Sequence, residues 1–260
     1  MATSKTGDQP TKGRIGNVSY YERYGQVIMR KAHNNQVKKG RTPKNMANRT
    51  RMANLINNWR ALKPVLADCF EDRKPTASEY NAFVALNINL SRVCLTKEEG
   101  EMNVAVAEHF VVSRGTLPQP VQARVEEGLI LSDLAFDPLP QGQDSDLYDL
   151  SVALMRANPG RLEWGDEIRF VCLQQEVGLG TGRPATDAAM CRLTLAQHDP
   201  RTVRQVLEGQ LFREGFDLSR GALAAPLREG ALCAWIVLRP QRKGRPRVTT
   251  QTLVGHTSLL

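Results

Sequence analysis

The first clear pattern in the sequence is an alternation of apolar and polar positions on either side of Tyr24-Gly25. The apolar members are Ile15, Val18, Tyr20, Val27 and Met29. Such alternation around a glycine is typical of a β-hairpin, and it predicts a turn near residues 23–26, although Tyr21 interrupts the period of two. Because an isolated hairpin is only marginally stable in water, we expect this one to dock on another surface.

A helical period begins near residue 42. Thr42 is a suitable N-cap, and Pro43 suits the first helical position, where a missing N–H costs nothing. At about 100° per residue, one arc of this helix is apolar. We assign its members to packing: Met52, Leu55, Ile56, Trp59 and Leu62. The opposite arc is rich in asparagine and alanine, and we expect it to permit close approach of another helix or subunit.

Further helical signals follow as far as residue 90. Residues 65–74 predict a short helical segment, and Thr76 with Glu79 matches a capping box for a third helix. Residues 42–90 are therefore expected to form a compact helical unit.

From residue 104 onward, short apolar runs are broken by Gly, Pro and Asp, which is typical of strands. Helical patterns interrupt them at residues 144–157 and 199–209, and residues 230–255 predict a closing hairpin. The sequence therefore predicts an α+β fold: an amino-terminal β-hairpin and small helical unit, then a β-rich, mostly antiparallel, sandwich-like domain with two short helices. We place a flexible basic arm at residues 1–13, the hairpin plus helical unit at 14–92 and the β-rich domain at 104–260.

The charge of the chain changes this picture, because it is concentrated at one end. Residues 1–63 hold 14 Lys and Arg residues against Asp8 and Glu22, a net charge of +12. Residues 64–260 hold 21 basic and 25 acidic residues, a net charge of −4. Such asymmetry indicates contact with a polyanion, with an acidic partner surface, or with the acidic remainder of the same chain or its neighbour.

Cationic residues and tyrosines interleave in this basic region, and they are the candidate contact residues. They are Arg14, Tyr20, Tyr21, Arg23, Tyr24, Arg30, Lys31, Lys38, Lys39, Arg41, Lys44 and Arg49. Phosphate neutralisation together with aromatic stacking would allow nucleic acid to bind without base readout. However, the arginines of the predicted helix border its apolar arc, where their stems can cover the edge of a core. A helix that reads DNA would present its basic residues away from the core.

These observations favour a non-enzymatic assembly or protein-interaction protein. We expect the hairpin and the helix bearing Trp59 to contact a protein partner, which includes a second copy of the chain. The alternative is a non-specific nucleic-acid-binding protein that uses the basic amino-terminal region.

Patterns for catalysis or cofactor binding are weak throughout. The four histidines lie far apart and lack zinc-ligand spacing. Residues 178–184 are Gly-rich but precede no helical pattern, so we expect a loop between two strands rather than a phosphate cradle.

The five cysteines contain no C-x-x-C pair and are expected to be reduced and mostly buried. Trp164 is expected to anchor an edge of the sandwich. We therefore predict no enzymatic activity, no cofactor and no metal.

The chain contains no run of about 18 apolar residues, so we expect no membrane contact. Its first residues lack the apolar stretch of a secretory signal, which favours a cytoplasmic location.

Five short motifs carry a resemblance. They are Gly16-Asn17-Val18 in the hairpin, RTP at 41–43, NRTRMANLINNWRALKP at 48–64, YNAFVALN at 80–87 and VVSRGTLPQP at 111–120. In this order they resemble a family of uncharacterised proteins from Bacteroidetes, known only as a domain of unknown function with an SRGxLP motif. The RTP helix also looks like a motif of phage-associated hypothetical proteins. The resemblance covers residues 12–120 and implies no site residues. It implies a non-enzymatic protein linked to a phage or another mobile element, with a phage particle as a second location.

Overall fold

The structure is a computed structural model that describes residues 12–23, 25–32, 43–73, 77–118, 121–178, 182–208, 218 and 220–255. Its helices are α1 (Pro43–Leu62), α2 (Glu79–Asn87), α3 (Lys97–Glu101), α4 (Leu147–Ala157) and α5 (Val203–Glu208), with a 3-10 turn at Gly142–Asp144. Its strands are β1 (Gly13–Ile15), β2 (Val18–Arg23), β3 (Gln26–Lys31), β4 (Val111–Ser113), β5 (Ala123–Glu126), β6 (Leu129–Ala135), β7 (Glu167–Val177), β8 (Pro184–Thr194), β9 (Ala222–Pro226), β10 (Ala231–Arg239), β11 (Arg247–Val248), β12 (Gln251–Thr252) and β13 (Val254–Gly255).

The predicted α+β class is confirmed, and so is its β-rich, antiparallel character. The strands form four sheets, in the orders β1-β2-β3, β11-β10-β7-β8 with β13 also paired to β10, β12-β4, and β5-β6-β9. Every pairing between these described strands is antiparallel. The two short helices expected in the distal part are α4 and α5.

The central sheet of residues 47–260 is buried on both faces. Side chains alternate along β7 and β10, so one set faces each side. Phe170 and Trp235 face a core that also holds apolar residues of α4, α5, β6 and β9. Val171 and Ile236 lie in a second core, which holds apolar residues of α1 and α2 and of the segments between them and β4. This double burial explains why β10 is apolar at nearly every position rather than at alternate ones.

The domain boundary differs from the prediction. The chain divides into two compact units, residues 1–46 and 47–260, whereas we expected a boundary between residues 92 and 104. The helical residues belong with the β-rich part because Leu55, Leu62 and Phe83 share one core with β7 and β10. Helices α1 and α2 therefore form a layer over one face of the central sheet rather than a separate domain.

The prediction of a helix at residues 65–74 is wrong. Asp68 has a positive φ of 61°, which a right-handed helix does not allow. The next residues pair with another segment: Arg114 N donates to Cys69 O (3.0 Å), and Glu71 N donates to Arg114 O (2.9 Å). Ser78 caps α2 by accepting from Asn81 N, whereas Thr76 lies outside the described residues.

Candidate interaction surfaces

The amino-terminal unit contains the hairpin that the sequence predicts, extended by one short strand. β2 pairs with β3 from Val18↔Lys31 to Arg23↔Gln26, and β1 pairs with β2 from Gly13↔Tyr20 to Ile15↔Val18. The β1–β2 turn has two residues, and Gly16 adopts a φ of +56° at its first central position. Glycine suits this position because a side chain disfavours a positive φ.

The register sorts the side chains of this small sheet onto two faces, because residues directly opposite each other point the same way. We call one the apolar face; it comprises Ile15, Val18, Tyr20, Val27 and Met29, bordered by Glu22 and Lys31. Three of its apolar side chains are exposed: Ile15 is 53% exposed, Val27 43% and Met29 62%. Tyr21 therefore does not disturb the alternation, since it lies on the other face.

We call the opposite surface the basic face; it comprises Arg14, Ser19, Tyr21, Ile28 and Arg30. Ser19 pairs with Arg14 on one side and with Arg30 on the other, so the two arginines stand two strand spacings apart, about 10 Å. The Arg30 guanidinium carbon lies 5.2 Å from the centre of the Tyr21 ring, a cation–π contact. Arg14 Nε donates to the Gly16 carbonyl at 2.9 Å.

The amino-terminal unit also carries the whole net charge of the protein. Residues 1–46 contain 10 Lys and Arg against two acidic residues, a net charge of +8. Residues 47–260 contain 25 basic and 25 acidic residues, a net charge of zero. The unit therefore has an exposed apolar face and an exposed cationic face, which are suited to different ligands.

The other predicted contact residues are not all brought to this sheet. Lys31 borders the apolar face, and Arg49 is exposed on α1. The side chains of Arg23 and Lys44 are not among those described, and Tyr24, Lys38, Lys39 and Arg41 lie outside the described residues.

The apolar arc of α1 is occupied by the protein's own core. Leu55 and Leu62 are fully buried, Trp59 is 8% exposed, and Met52 and Ile56 are half-buried. The Trp59 ring lies 5.2 Å from that of Phe83, 6.2 Å from Tyr80 and 6.5 Å from Phe70, measured between ring centres. The expectation that the helix bearing Trp59 contacts a partner is therefore corrected for Leu55, Trp59 and Leu62, because these three side chains are buried within the protein itself.

The asparagine-rich arc of α1 is also occupied, by an extended segment of the same chain and by α3, whose Gly100 carbonyl accepts from Asn57 Nδ2 at 3.4 Å. Asn57 Nδ2 donates to the Val104 carbonyl at 2.8 Å. Asn54 and Asn58 both donate to the Val106 carbonyl at 3.0 Å. The sequence signal for this role was the spacing of three asparagines on one helical arc, which we interpreted as a contact surface for another element. Both arcs of α1 thus serve folding, which leaves the amino-terminal sheet as the candidate interaction surface.

Candidate chemistry is sparse in the part of the chain that the structure describes. No group of three or more His, Cys, Asp or Glu side chains there comes together as metal ligands would. Gly178, Gly182 and Arg183 belong to the connection between β7 and β8, as predicted for the Gly-rich stretch.

Two further findings bear on the class of the protein. Among the described residues, no helix is both long enough and apolar enough to cross a bilayer. The resemblance to the Bacteroidetes family stays a prediction, because no family model, no curated protein and no solved structure matches the chain.

Proposed function

We propose that this is a non-enzymatic assembly protein, which associates with a second copy of itself through the apolar face of its amino-terminal sheet. The observation that carries the proposal is the exposure of Ile15, Val27 and Met29 on one side of a three-stranded sheet. A sheet face that bears several large apolar side chains gains free energy when another surface covers it.

A second copy is the occupant that fits best. Two such sheets packed face to face would bury both apolar faces about 10 Å apart. Both basic faces would then point outward, separated by more than the Debye length of about 8 Å at physiological salt. The Arg14 and Arg30 charges of the two copies would therefore oppose such pairing only weakly. The contact would be isologous, as in most homodimers.

The test compares two variants that each add one carboxylate to β3. Met29→Glu places it in the apolar face, and Gln26→Glu places it on the opposite side of the same strand. Light scattering and chemical crosslinking of the full chain should show an oligomer that Met29→Glu shifts toward monomer and Gln26→Glu leaves intact. A wild-type chain that stays monomeric at every concentration, or equal effects of the two variants, would contradict the proposal.

A second candidate function is non-specific nucleic-acid binding by the basic face. It is favoured by the alignment of Arg14 and Arg30 on either side of Ser19, with the Tyr21 ring beside Arg30. Arginines can neutralise phosphates, and an aromatic ring can stack on a base. This function is compatible with self-association, since it uses the other side of the sheet.

Filter binding of single-stranded RNA or DNA at several salt concentrations tests this second candidate. Changing Arg14 and Arg30 to Gln should lower affinity and reduce the slope of log affinity against log salt by about 1.4, at about 0.7 per phosphate contact. Arg156→Gln, an exposed change on α4, is the charge-matched control. Absence of retention at low salt would remove this candidate without affecting the first.

A further inference from the structure

Two exposed aromatic rings lie side by side at one end of α4. Tyr148 is in the first turn of this helix, and Trp164 is in the turn before β7. Their ring centres are 6.0 Å apart and their planes differ by only 3°. Tyr148 is 44% exposed and Trp164 36% exposed. Trp164, which the sequence predicts to anchor an edge of the sandwich, is thus partly exposed, and its ring lies parallel to that of Tyr148.

The turn that carries Trp164 is firmly held. Gly165 adopts a φ of +87°, and its N–H donates to Leu195 O at 2.8 Å. Asp166 is fully buried; it accepts from Arg239 Nη2 at 2.8 Å and from Glu163 N at 2.8 Å. The indole is thus placed by rigid backbone rather than by a loose loop, as binding sites require.

The two rings border an open cavity of about 730 Å³. The described residues that line it are Asp146, Tyr148, Trp164, Gln197, His198, Asp199 and Pro200. Two of these are carboxylates, and none is a lysine or arginine. A concave site with aromatic walls and a few polar groups is the usual form of a ligand pocket.

The two carboxylates differ in their surroundings. Asp199 is already paired, because Arg201 Nε donates to its Oδ1 at 2.9 Å and Arg201 Nη2 donates to its Oδ2 at 2.6 Å. Asp146 precedes α4, is exposed, and makes no side-chain capping bond to that helix. The cavity therefore presents one carboxylate beside two aromatic faces.

We propose that this cavity binds the guanidinium group of an arginine. A guanidinium is flat, so it can stack on the exposed Trp164 ring of the parallel Tyr148–Trp164 pair. Its N–H groups match the two oxygens of a carboxylate, here Asp146. A phosphate-bearing ligand would be repelled by the Asp146 carboxylate. A neutral sugar could stack on Trp164, but it would gain neither the cation–π attraction nor the charge-assisted hydrogen bonds, which are about twice as strong as neutral ones.

The test uses arginine amide as the probe and the full chain as the receptor, with calorimetry for affinity and tryptophan fluorescence for location. Trp59 and Trp235 are buried, so a ligand-dependent fluorescence change that disappears in Trp164→Phe reports on this cavity. Trp164→Ala should weaken binding about tenfold, which corresponds to a cation–π contribution within the expected range. Trp164→Phe should retain most of the affinity. Asp146→Asn should weaken binding several-fold, and Asp137→Asn, an exposed control, should not.

Two further ligands sharpen the result. A blocked Gly-Arg-Gly peptide distinguishes two sources of the guanidinium group. If the cavity takes an arginine presented by a polypeptide, the peptide should bind at least as well as arginine amide. If it takes free arginine, free arginine should bind better than the peptide. Lysine amide should bind more weakly than arginine amide, since an ammonium cannot stack as a plane. Binding of methyl glucoside in place of arginine amide, equal binding of the two amides, or no response to arginine amide would overturn the proposal. A wild-type far-ultraviolet circular dichroism spectrum of Trp164→Ala would exclude misfolding as the cause of lost binding.

Discussion

The side-chain amide of Asn54 pairs with the backbone of Val106 as one strand residue pairs with another. Asn54 Nδ2 donates to the Val106 carbonyl at 3.0 Å, and Val106 N donates to Asn54 Oδ1 at 2.9 Å. Asn54 is fully buried, and its amide nitrogen also donates to Glu108 Oε2 at 3.0 Å. A side chain of α1 thereby supplies the hydrogen bonds of a backbone N–H and carbonyl in an extended segment that pairs with no strand at this residue.

Asn54→Ala should therefore destabilise the protein strongly. The substitution leaves the N–H and carbonyl of Val106 buried with fewer partners, and each buried group that loses its hydrogen bond costs about 1–3 kcal/mol. We expect the free energy of unfolding to fall by about 3 kcal/mol in urea titrations. Asn89→Ala, at an exposed position after α2, should change it by less than about 0.5 kcal/mol. Equal effects of the two substitutions would show that the amide pairing contributes nothing to stability.

Trp59 should prove to be a core residue rather than a contact residue. Trp59→Ala removes a ring that packs on Phe70, Tyr80 and Phe83, so the free energy of unfolding should fall by about 3–5 kcal/mol. Trp164→Ala removes an exposed ring of the same size and should cost about 1 kcal/mol or less. Thermal unfolding of both variants gives the comparison. If Trp59→Ala kept wild-type stability but lost self-association, the assignment of this residue to the core would be wrong.

The parts of the fold that the sequence predicts are those fixed by neighbours along the chain. Pro43 at the first position of α1 and the alternation from Val18 to Met29 each specify an element without reference to distant residues. The segment around Asp68 was mistaken for a helix because its pattern is helical. Its backbone instead pairs with Arg114, which lies more than 40 residues away.

The candidate sites also differ in how far the sequence alone predicts them. The two faces of the amino-terminal sheet follow from period-two alternation once the register is known. The neighbouring rings of Tyr148 and Trp164 come from a helix and from a turn that only the tertiary fold brings together. The roles of Asn54 and Asn58 depend on Val106 in the same non-local way. Single-sequence patterns contain no measure of such contacts, since they report only on residues within one element.

Glu71 should make stability depend on pH in the acid range. Burial favours its neutral form, but hydrogen bonds from the side chain and backbone of Thr116 and from Val248 N, with the nearby Arg247 cation, lower the pKa of Glu71 below 4.5. Since the folded pKa is the lower one, the stabilisation is complete above about pH 4.5 and is lost as pH falls through the folded value.

The variant Glu71→Gln keeps the shape of the side chain and removes its charge. We expect its free energy of unfolding to lie about 1 kcal/mol below that of the wild type at neutral pH. The gap should close at pH values below the folded pKa, where both side chains are neutral. Urea unfolding across this range measures the gap, and Glu176→Gln at an exposed site of β7 is the control. A gap that stays constant with pH would mean that the charge of Glu71 has no part in it.

The five thiols should differ sharply in reactivity, because Cys94 is exposed and the other four are buried. Burial raises the pKa of Cys69 and of Cys191 to about 12, so at pH 8 only about 10⁻⁴ of each is thiolate, the reactive form. Ellman's reagent should therefore label one thiol in a fast phase under native conditions, and all five after denaturation. Cys94→Ser should abolish the fast phase and Cys191→Ser should preserve it. A fast phase that survives Cys94→Ser would show that the core opens enough to expose a buried cysteine.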